Sequence, residues 1–349
     1  MSSPKPPEDI EPKNPASASY WEAPEEGESI GEEERSISTW PAPPDVIQTQ
    51  KGSLAWRGLG LIRTIRPHQW VKNVFVLAPV VFAKSVFRVE LIENAASAFL
   101  VFCFLAGAVY TINDIADVDA ARIHPVKRHR PIASGRVPLG VAKLFAAFLV
   151  TGSLIAAYLI QPFFALVAAC YFLMNVAYSI KLKHVAYVDV GCIALGFVLR
   201  VMGGGLAVGV SVSWYLYACT ALLALFLGFG KRRHELTTAS AKAGKQRQAL
   251  KGYTKRGLDG ALVVTSLATV FTYLSYTLNA ETQQFFKVET LWPTTLFVIL
   301  GVLRFLHIVR NRPKAESPTQ EMLSDGPMVG IVLFWVATVL WLVYHLQPS

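Results

Sequence analysis

Five residues at the end of one apolar run, Asn113-Asp114-Ile115-Ala116-Asp117, combine a carboxamide with two carboxylates, and a basic stretch from Arg122 to Pro131 follows. At about 100° per residue on a helix, Asn113, Asp114 and Asp117 fall within one arc of about 100°. The run they close, Ala95 to Ile112, is long enough to cross a bilayer, and polar groups in that setting normally face an interior cavity and serve function. Two Asp near a helix C-terminus oppose the macrodipole, so local stability does not account for them. Carboxylates hold hard metals, while Lys and Arg hold phosphate. The pattern therefore predicts a magnesium–diphosphate site with Asp114 and Asp117 as metal ligands.

Three further polar clusters interrupt the apolar pattern. In Arg66-Pro67-His68-Gln69-Trp70-Val71-Lys72-Asn73, a helix would place Arg66, Gln69, Lys72 and Asn73 on an arc of about 120°. Interfacial anchoring explains Trp70 and a snorkelling Lys72, but not two carboxamides. Tyr178-Ser179-Ile180-Lys181-Leu182-Lys183 precedes Asp189, so Lys183 could take phosphate and Asp189 a metal or a sugar hydroxyl. Lys231-Arg232-Arg233-His234-Glu235 opens a stretch of nine bases ending at Arg256, suited to capping a phosphate-rich substrate or to lipid headgroups. Arg200, 11 residues beyond Asp189, would lie about 16 Å deeper on a helix, where a charge needs a cavity or a partner. Gly203-Gly204-Gly205 permits a kink or close helix packing.

The elements that must position these residues are apolar spans. The chain is 53% hydrophobic and only 16% charged, with mean hydropathy +0.39, too apolar for an ordinary soluble domain. Nine stretches near bilayer length are expected at about 68–86, 92–113, 138–160, 163–181, 187–208, 213–230, 259–279, 291–309 and 327–346, an all-α polytopic membrane protein of nine transmembrane helices. Residues 1–50 hold 11 acids against 3 bases, net −8, and read as a disordered Pro/Glu-rich tail without a signal peptide. The remainder, 13 acids and 30 bases, is net +17. Those bases gather in the loops after spans two, four, six and eight, whereas the loops after spans three and five have none. That asymmetry predicts a cytoplasmic N-terminus and a C-terminus on the other side, and it argues against nucleic-acid binding. The four cysteines lie inside apolar runs at irregular spacing, as packing residues do.

The Asn-Asp-x-x-Asp motif at the end of span two resembles the UbiA superfamily of intramembrane prenyltransferases. Three longer stretches are similar to its decaprenyl-phosphate phosphoribosyltransferase branch: Arg66 to Asn73, His124-Pro125-x-Lys127-x-x-Arg130-Pro131-Ile132-Ala133-Ser134-Gly135, and Tyr178-x-x-x-Leu182-Lys183. The resemblance covers residues 57–346. It implies a UbiA-type bundle with cytoplasmic cap loops in the inner membrane. It further implies a Mg²⁺-dependent transferase that joins phosphoribosyl diphosphate to a polyprenyl phosphate, releasing diphosphate toward a cell-envelope sugar donor. It gives Asp114, Asp117 and Asp189 catalytic roles, and substrate contacts to Arg66, Gln69, Lys72, Asn73, Asn113, Lys127, Arg130, Tyr178 and Lys183. Two departures stand out. The region around Asp189 lacks the second acid of the aromatic prenyltransferases, and Ala121 occupies a position where the family motif continues with Asp. The alternatives are transfer of a prenyl group to an aromatic or other small acceptor, and a lipid carrier or transporter. A homo-oligomer is left open.

Overall fold

The computed structural model describes residues 53–82, 88–124, 126–239, 248–311, 321, 322 and 324–345. The expected acidic tail, and part of the basic stretch between Lys231 and Arg256, lie outside the described residues. The elements in chain order are α1 (Leu54–Thr64), a 3₁₀ segment (Pro67–Leu77), α2 (Ala78–Phe82), α3 (Val89–Ala116), α4 (Val118–Ile123), α5 (Leu139–Ile160) and α6 (Pro162–Ile180). There follow α7 (Val188–Val208), α8 (Trp214–Ala239), α9 (Lys255–Leu278), α10 (Ala280–Phe286), α11 (Thr295–Asn311) and α12 (Gly326–His345). Among the described residues, eight helices are long and apolar enough to cross a membrane: α3, α5 to α9, α11 with the turn before it, and α12. Large apolar side chains such as Leu144, Phe148, Ile155, Phe163 and Leu173 stand exposed on α5 and α6, as a lipid-facing surface requires. The chain is a multi-pass, all-α membrane protein.

Turn chemistry sets the joints. Pro162 opens α6 at a position where no amide donor is needed, and the Gln161 side chain accepts from the Phe164 amide, so α5 and α6 form a tight hairpin. One core packs Phe102, Phe164, Tyr171 and Leu199 of α3, α6 and α7 around Val76. A second packs Val190, Phe226, Leu258 and Phe305 of α7, α8, α9 and α11.

The first expected span differs. Its described part, residues 68–82, does not form one α-helix: the backbone winds as 3₁₀ turns over Pro67–Leu77 and becomes α-helical only at Ala78–Phe82. Pro67 sets the entry and Pro79 withholds an amide from any continuous helix. One face of the segment is enclosed by protein, while Val71 and Val74 stand exposed on the other. Asn73 and Val76 are fully buried, Val76 packs with α3, α6 and α7, and Val80 lies against Ala95 and Val208. Non-helical backbone at membrane depth is tolerated only in such an enclosure.

Gly204 makes the enclosure close. A methyl group there would fall on the Val76 carbonyl oxygen, so α7 and the 3₁₀ segment meet backbone to backbone. The triple glycine serves close packing, since α7 runs unbroken through it. Gly204→Ala should cost about 1–3 kcal/mol by overpacking, whereas Gly152→Ala, with open space around it on α5, should be neutral or slightly stabilising. Thermal unfolding in detergent tests this, and equal midpoints for the two variants would refute the close-packing role.

Candidate active site

Asp114 is the centre of the first cluster. It is buried near the end of α3, and its Oδ1 atom accepts from Arg66 Nη2 at 2.7 Å and from Arg130 Nη1 at 2.9 Å. Arg66 also stacks on the Tyr110 ring, 4.9 Å from its centroid. Its backbone is left-handed, at φ 50° and ψ 67°, directly before Pro67. A non-glycine residue in that region is strained and persists only where its surroundings over-determine it, which the ion pair and the ring together do. The α-helix stops at Ala116, so Asp117 caps it, exposed, at the junction with α4. Asp119 lies outside the cluster and pairs on the surface with Arg122.

The 3₁₀ winding redistributes the second cluster. At about three residues per turn, Gln69 and Lys72 share one row, while Asn73 and Val76 share another. Asn73 therefore does not sit with Lys72 on a ligand-facing arc. It is 1% exposed, its Nδ2 donates to Cys103 Sγ at 3.1 Å, and its Oδ1 accepts from Arg200 Nε at 2.7 Å. Lys72 stays exposed, within electrostatic reach of Lys231, Arg200 and Arg66. These positive groups leave the end of the bundle in need of an anion.

In the third cluster it is Asp189 that is closed off. Asp189, expected to orient metal or ribose, has no exposed surface. Its Oδ1 accepts from the Val190 amide at 2.9 Å and the Tyr253 hydroxyl at 2.5 Å. Its Oδ2 lies 2.7 Å from Arg232 Nε, a close ion pair without an in-line hydrogen bond, and Arg232 also pairs with Glu235. The Tyr187 amide donates to the Tyr253 oxygen at 2.8 Å from a backbone held at φ 66°. Burial, then the Asp189 carboxylate, pushes the Tyr253 hydroxyl well above the usual phenol range, so it stays a donor. Asp189 is thus the anchor that joins the start of α7 to α8 and to the loop before α9. Sequence reasoning read Arg232 as part of a basic cluster for phosphate or lipid headgroups and missed Tyr253. An acid at the start of an apolar span was the available signal that a buried donor had to exist.

Of the remaining expected contacts, Gln69, Asn113, Lys127 and Lys183 are half-buried, and their side chains hold no hydrogen bond or ion pair among the described residues. Lys127 lies on the turn leading to Arg130. Lys183 lies on the turn between α6 and α7 at the same end of the bundle, beside the 248–252 turn and apart from Asp114. Tyr178 comes within electrostatic reach of Arg232.

Beyond the 3₁₀ segment the interior turns apolar. A cavity of about 360 Å³ lies between that segment, α2, α9 and α12. A second of about 450 Å³ lies among α8, α9, α11 and α12. Phe75, Ala78, Phe82, Tyr273, Tyr276 and Trp335 line both, so the two adjoin. Phe75 also packs edge-on against Phe197, 4.9 Å between ring centroids, beside the Arg200 guanidinium.

The model of the UbiA prenyltransferase family matches residues 74–318. The chain belongs to that family. It is 35% identical over 286 residues to a decaprenyl-phosphate phosphoribosyltransferase of Mycobacterium tuberculosis, covering 80% of this chain and 93% of the relative. It is 33% identical over 291 residues to the Corynebacterium glutamicum enzyme of the same name, covering 82% and 87%. A UbiA homolog from Archaeoglobus fulgidus, solved bound to GPP and Mg²⁺, shares the fold at TM-score 0.58 and 21% identity, over 82% of this chain and 97% of that one.

In this UbiA protein the fit to magnesium rests on a sparse donor set. No group of three or more His, Cys, Asp or Glu converges among the described residues. Asp114 has one oxygen engaged by two guanidinium groups, Asp117 is exposed, and Ala121 is buried at 2% in α4. Mg²⁺ is usually held by one or two carboxylates with phosphate oxygens and water, so a donor set this small fits the ion only when a diphosphate completes its shell.

Replacing Asp189 by Asn uncouples a fully buried pair, at a cost of roughly 3–5 kcal/mol. The unfolding midpoint of Asp189→Asn should fall sharply while that of Asp117→Asn, at an exposed position, stays near the parent value. Equal midpoints would show that Asp189 is not an anchor.

Proposed function

We propose that this protein transfers the 5-phosphoribosyl group of phosphoribosyl diphosphate to a polyprenyl phosphate and releases diphosphate. The observation that carries the reading is the join of two opposite environments. Arg66 and Arg130 meet at Asp114, Lys72 lies within electrostatic reach of Arg66, and contiguous apolar cavities begin at Phe75, three residues on from Lys72 along the 3₁₀ segment. A soluble polyanion suits the first and an isoprenoid tail the second. The relatives at 33–35% identity, both named decaprenyl-phosphate phosphoribosyltransferases, support the same assignment.

In this mechanism Arg66 and Arg130 turn from Asp114 toward the donor phosphates, with Lys127 and Lys183 reaching in from their loops. Gln69 and Asn113 supply neutral hydrogen bonds to the ribose or phosphate oxygens, and Tyr178 borders the same end. The acceptor phosphate is already an anion, so no protein nucleophile is required. It attacks the anomeric carbon as the carbon–oxygen bond to diphosphate breaks. Positive charge grows on the ribose ring and negative charge on the leaving group, where fixed cations lower the barrier most. Asp117 and the second oxygen of Asp114 would hold Mg²⁺, which when bound neutralises diphosphate as it departs. Asp189 acts from a distance by fixing Arg232, next to Lys231, rather than by touching a ligand. The catalytic end faces the cytoplasm of the inner membrane, in line with the basic loops, and with the 3₁₀ segment and α2 taken as a ninth crossing the C-terminus lies opposite.

Transfer of a prenyl group to an aromatic acceptor has less support. That chemistry draws on a second acidic cluster, and here Asp189 is committed to Arg232 and Tyr253. A carrier reading does not account for polar groups concentrated at one end of the bundle.

With purified protein, labelled donor and polyprenyl phosphate, Asp117→Asn should lose most transfer, and EDTA should abolish it in the parent enzyme. Full activity in either case would end the metal role. Arg130→Ala should raise the donor KM on the order of tenfold to a hundredfold, the loss of one charged hydrogen bond. An unchanged donor KM would remove Arg130 from the phosphate site.

A further inference from the structure

Arg200 is 8% exposed, lies in the middle of α7, and has no carboxylate within ion-pair distance among the described residues. All its partners are neutral. Nε donates to Asn73 Oδ1 at 2.7 Å, Nη1 to the Gly196 carbonyl at 2.9 Å, and Nη2 to the Tyr171 hydroxyl at 2.7 Å. The plane is flanked by the Tyr171 and Phe197 rings, 4.7 and 5.2 Å from the guanidinium carbon. Several other arginines of the bundle are compensated: Arg232 by Asp189 and Glu235, Arg66 and Arg130 by Asp114, Arg304 by Asp325, whereas the half-buried Arg136 meets only the Trp56 carbonyl and ring near the start of α1. A buried cation left without a counter-charge is costly, and in a membrane it marks a functional site.

Its position says which ligand would supply that charge. Asn73 connects it to the 3₁₀ segment, on which Lys72 is the next residue and feels the Arg200 charge. On its other side Phe197 meets Phe75, and Phe75 lines both apolar cavities. The charge therefore sits where the cationic end gives way to the apolar interior, which is where the head of a lipid must rest if its tail fills those cavities.

We propose that Arg200 is a positioning residue for the acceptor, an uncompensated buried charge that holds Lys72 and the mouth of the apolar cavity ready for a lipid phosphate head in preference to an uncharged lipid. Arg200 is enclosed by its neutral partners, so it acts through its field and through Asn73 and Lys72 instead of by contact. Asn73 keeps the charge in place without cancelling it, which an Asp at that position could not do. The proposal rests on the phosphoribosyl-transfer reading only for the identity of the acceptor.

The test uses the full-length protein in detergent with farnesyl phosphate, farnesol and inorganic phosphate as probes, each titrated by thermal shift. The parent protein should bind farnesyl phosphate at least tenfold more tightly than farnesol and respond little to inorganic phosphate. Asn73→Asp retains an acceptor for Arg200 but adds a counter-charge. It should lower that preference about tenfold while leaving the unfolding midpoint unchanged or higher. Arg200→Lys should keep the preference within about threefold. In turnover assays Asn73→Asp should raise the KM for the lipid phosphate and leave the donor KM within twofold. Arg200→Met should behave like Asn73→Asp, and if it does not fold, Asn73→Asp decides alone. Full phosphate preference in folded Asn73→Asp would overturn the proposal, as would equal response to inorganic and farnesyl phosphate or a matching rise in both KM values. An intact preference in the parent without phosphoribosyl transfer would support this inference while refuting the function proposed above.

Discussion

One carboxylate oxygen ties the reactive end together. Asp114 Oδ1 accepts from both Arg66 and Arg130, and so joins the end of α3 to the start of the 3₁₀ segment and to the loop after α4. A carboxylate this buried would be costly alone, and two guanidinium groups this close would repel each other without it. The cluster is stable as a unit and keeps a surplus of positive charge. That surplus is what a diphosphate would neutralise, because it can take over the arginines while Asp114 turns to the metal. The strained backbone of Arg66 belongs to the same logic, since the chain must turn there sharply to bring the guanidinium back onto Asp114.

The second acidic position has gone the other way. Asp189 spends both oxygens on Val190, Tyr253 and Arg232, so its charge is used to fix helices. In a low-dielectric interior a buried pair of this kind contributes little net stability compared with an apolar pair, but it specifies which elements meet. Here it specifies that α7, α8 and the loop before α9 converge, which sets Lys231 within reach of Lys72. One end of the bundle thus holds an acid that can release its cations to a ligand and an acid that cannot.

Much of this was legible in the sequence. Hydropathy located seven helices to within about four residues at each end and an eighth, α8, whose expected end falls nine residues short of Ala239, and polar groups interrupting apolar runs located Asp114, Arg66, Arg130 and Arg200 before their partners were known. The failures have a common source. Periodicity was read as α-helical through residues 68–86, where prolines and the contact at Gly204 impose 3₁₀ turns, and the change of winding moved Asn73 from the ligand row into the core. Asp189 was misread because its partners, Tyr253 and Arg232, are 64 and 43 positions away, and such a distance leaves no local trace. Arg200 was rightly expected to need company, but only the structure shows that its company is neutral.

That neutrality bears on how a membrane enzyme brings a polyanion and a lipid to one place. The donor would arrive from water with its charges hydrated, and cations near the surface such as Lys127 and Lys183 could meet it there at modest desolvation cost. The lipid arrives from within the bilayer, where its phosphate must come inward past apolar side chains. A cation placed close to the tail cavity and kept uncompensated makes that descent favourable without drawing in the soluble substrate, because the Phe75, Phe197 and Tyr171 rings wall it off from bulk water. On the proposed function, cations near the surface and an uncompensated one inside would sort two phosphates by the medium each comes from, and bring them to either side of the ribose carbon where they must react.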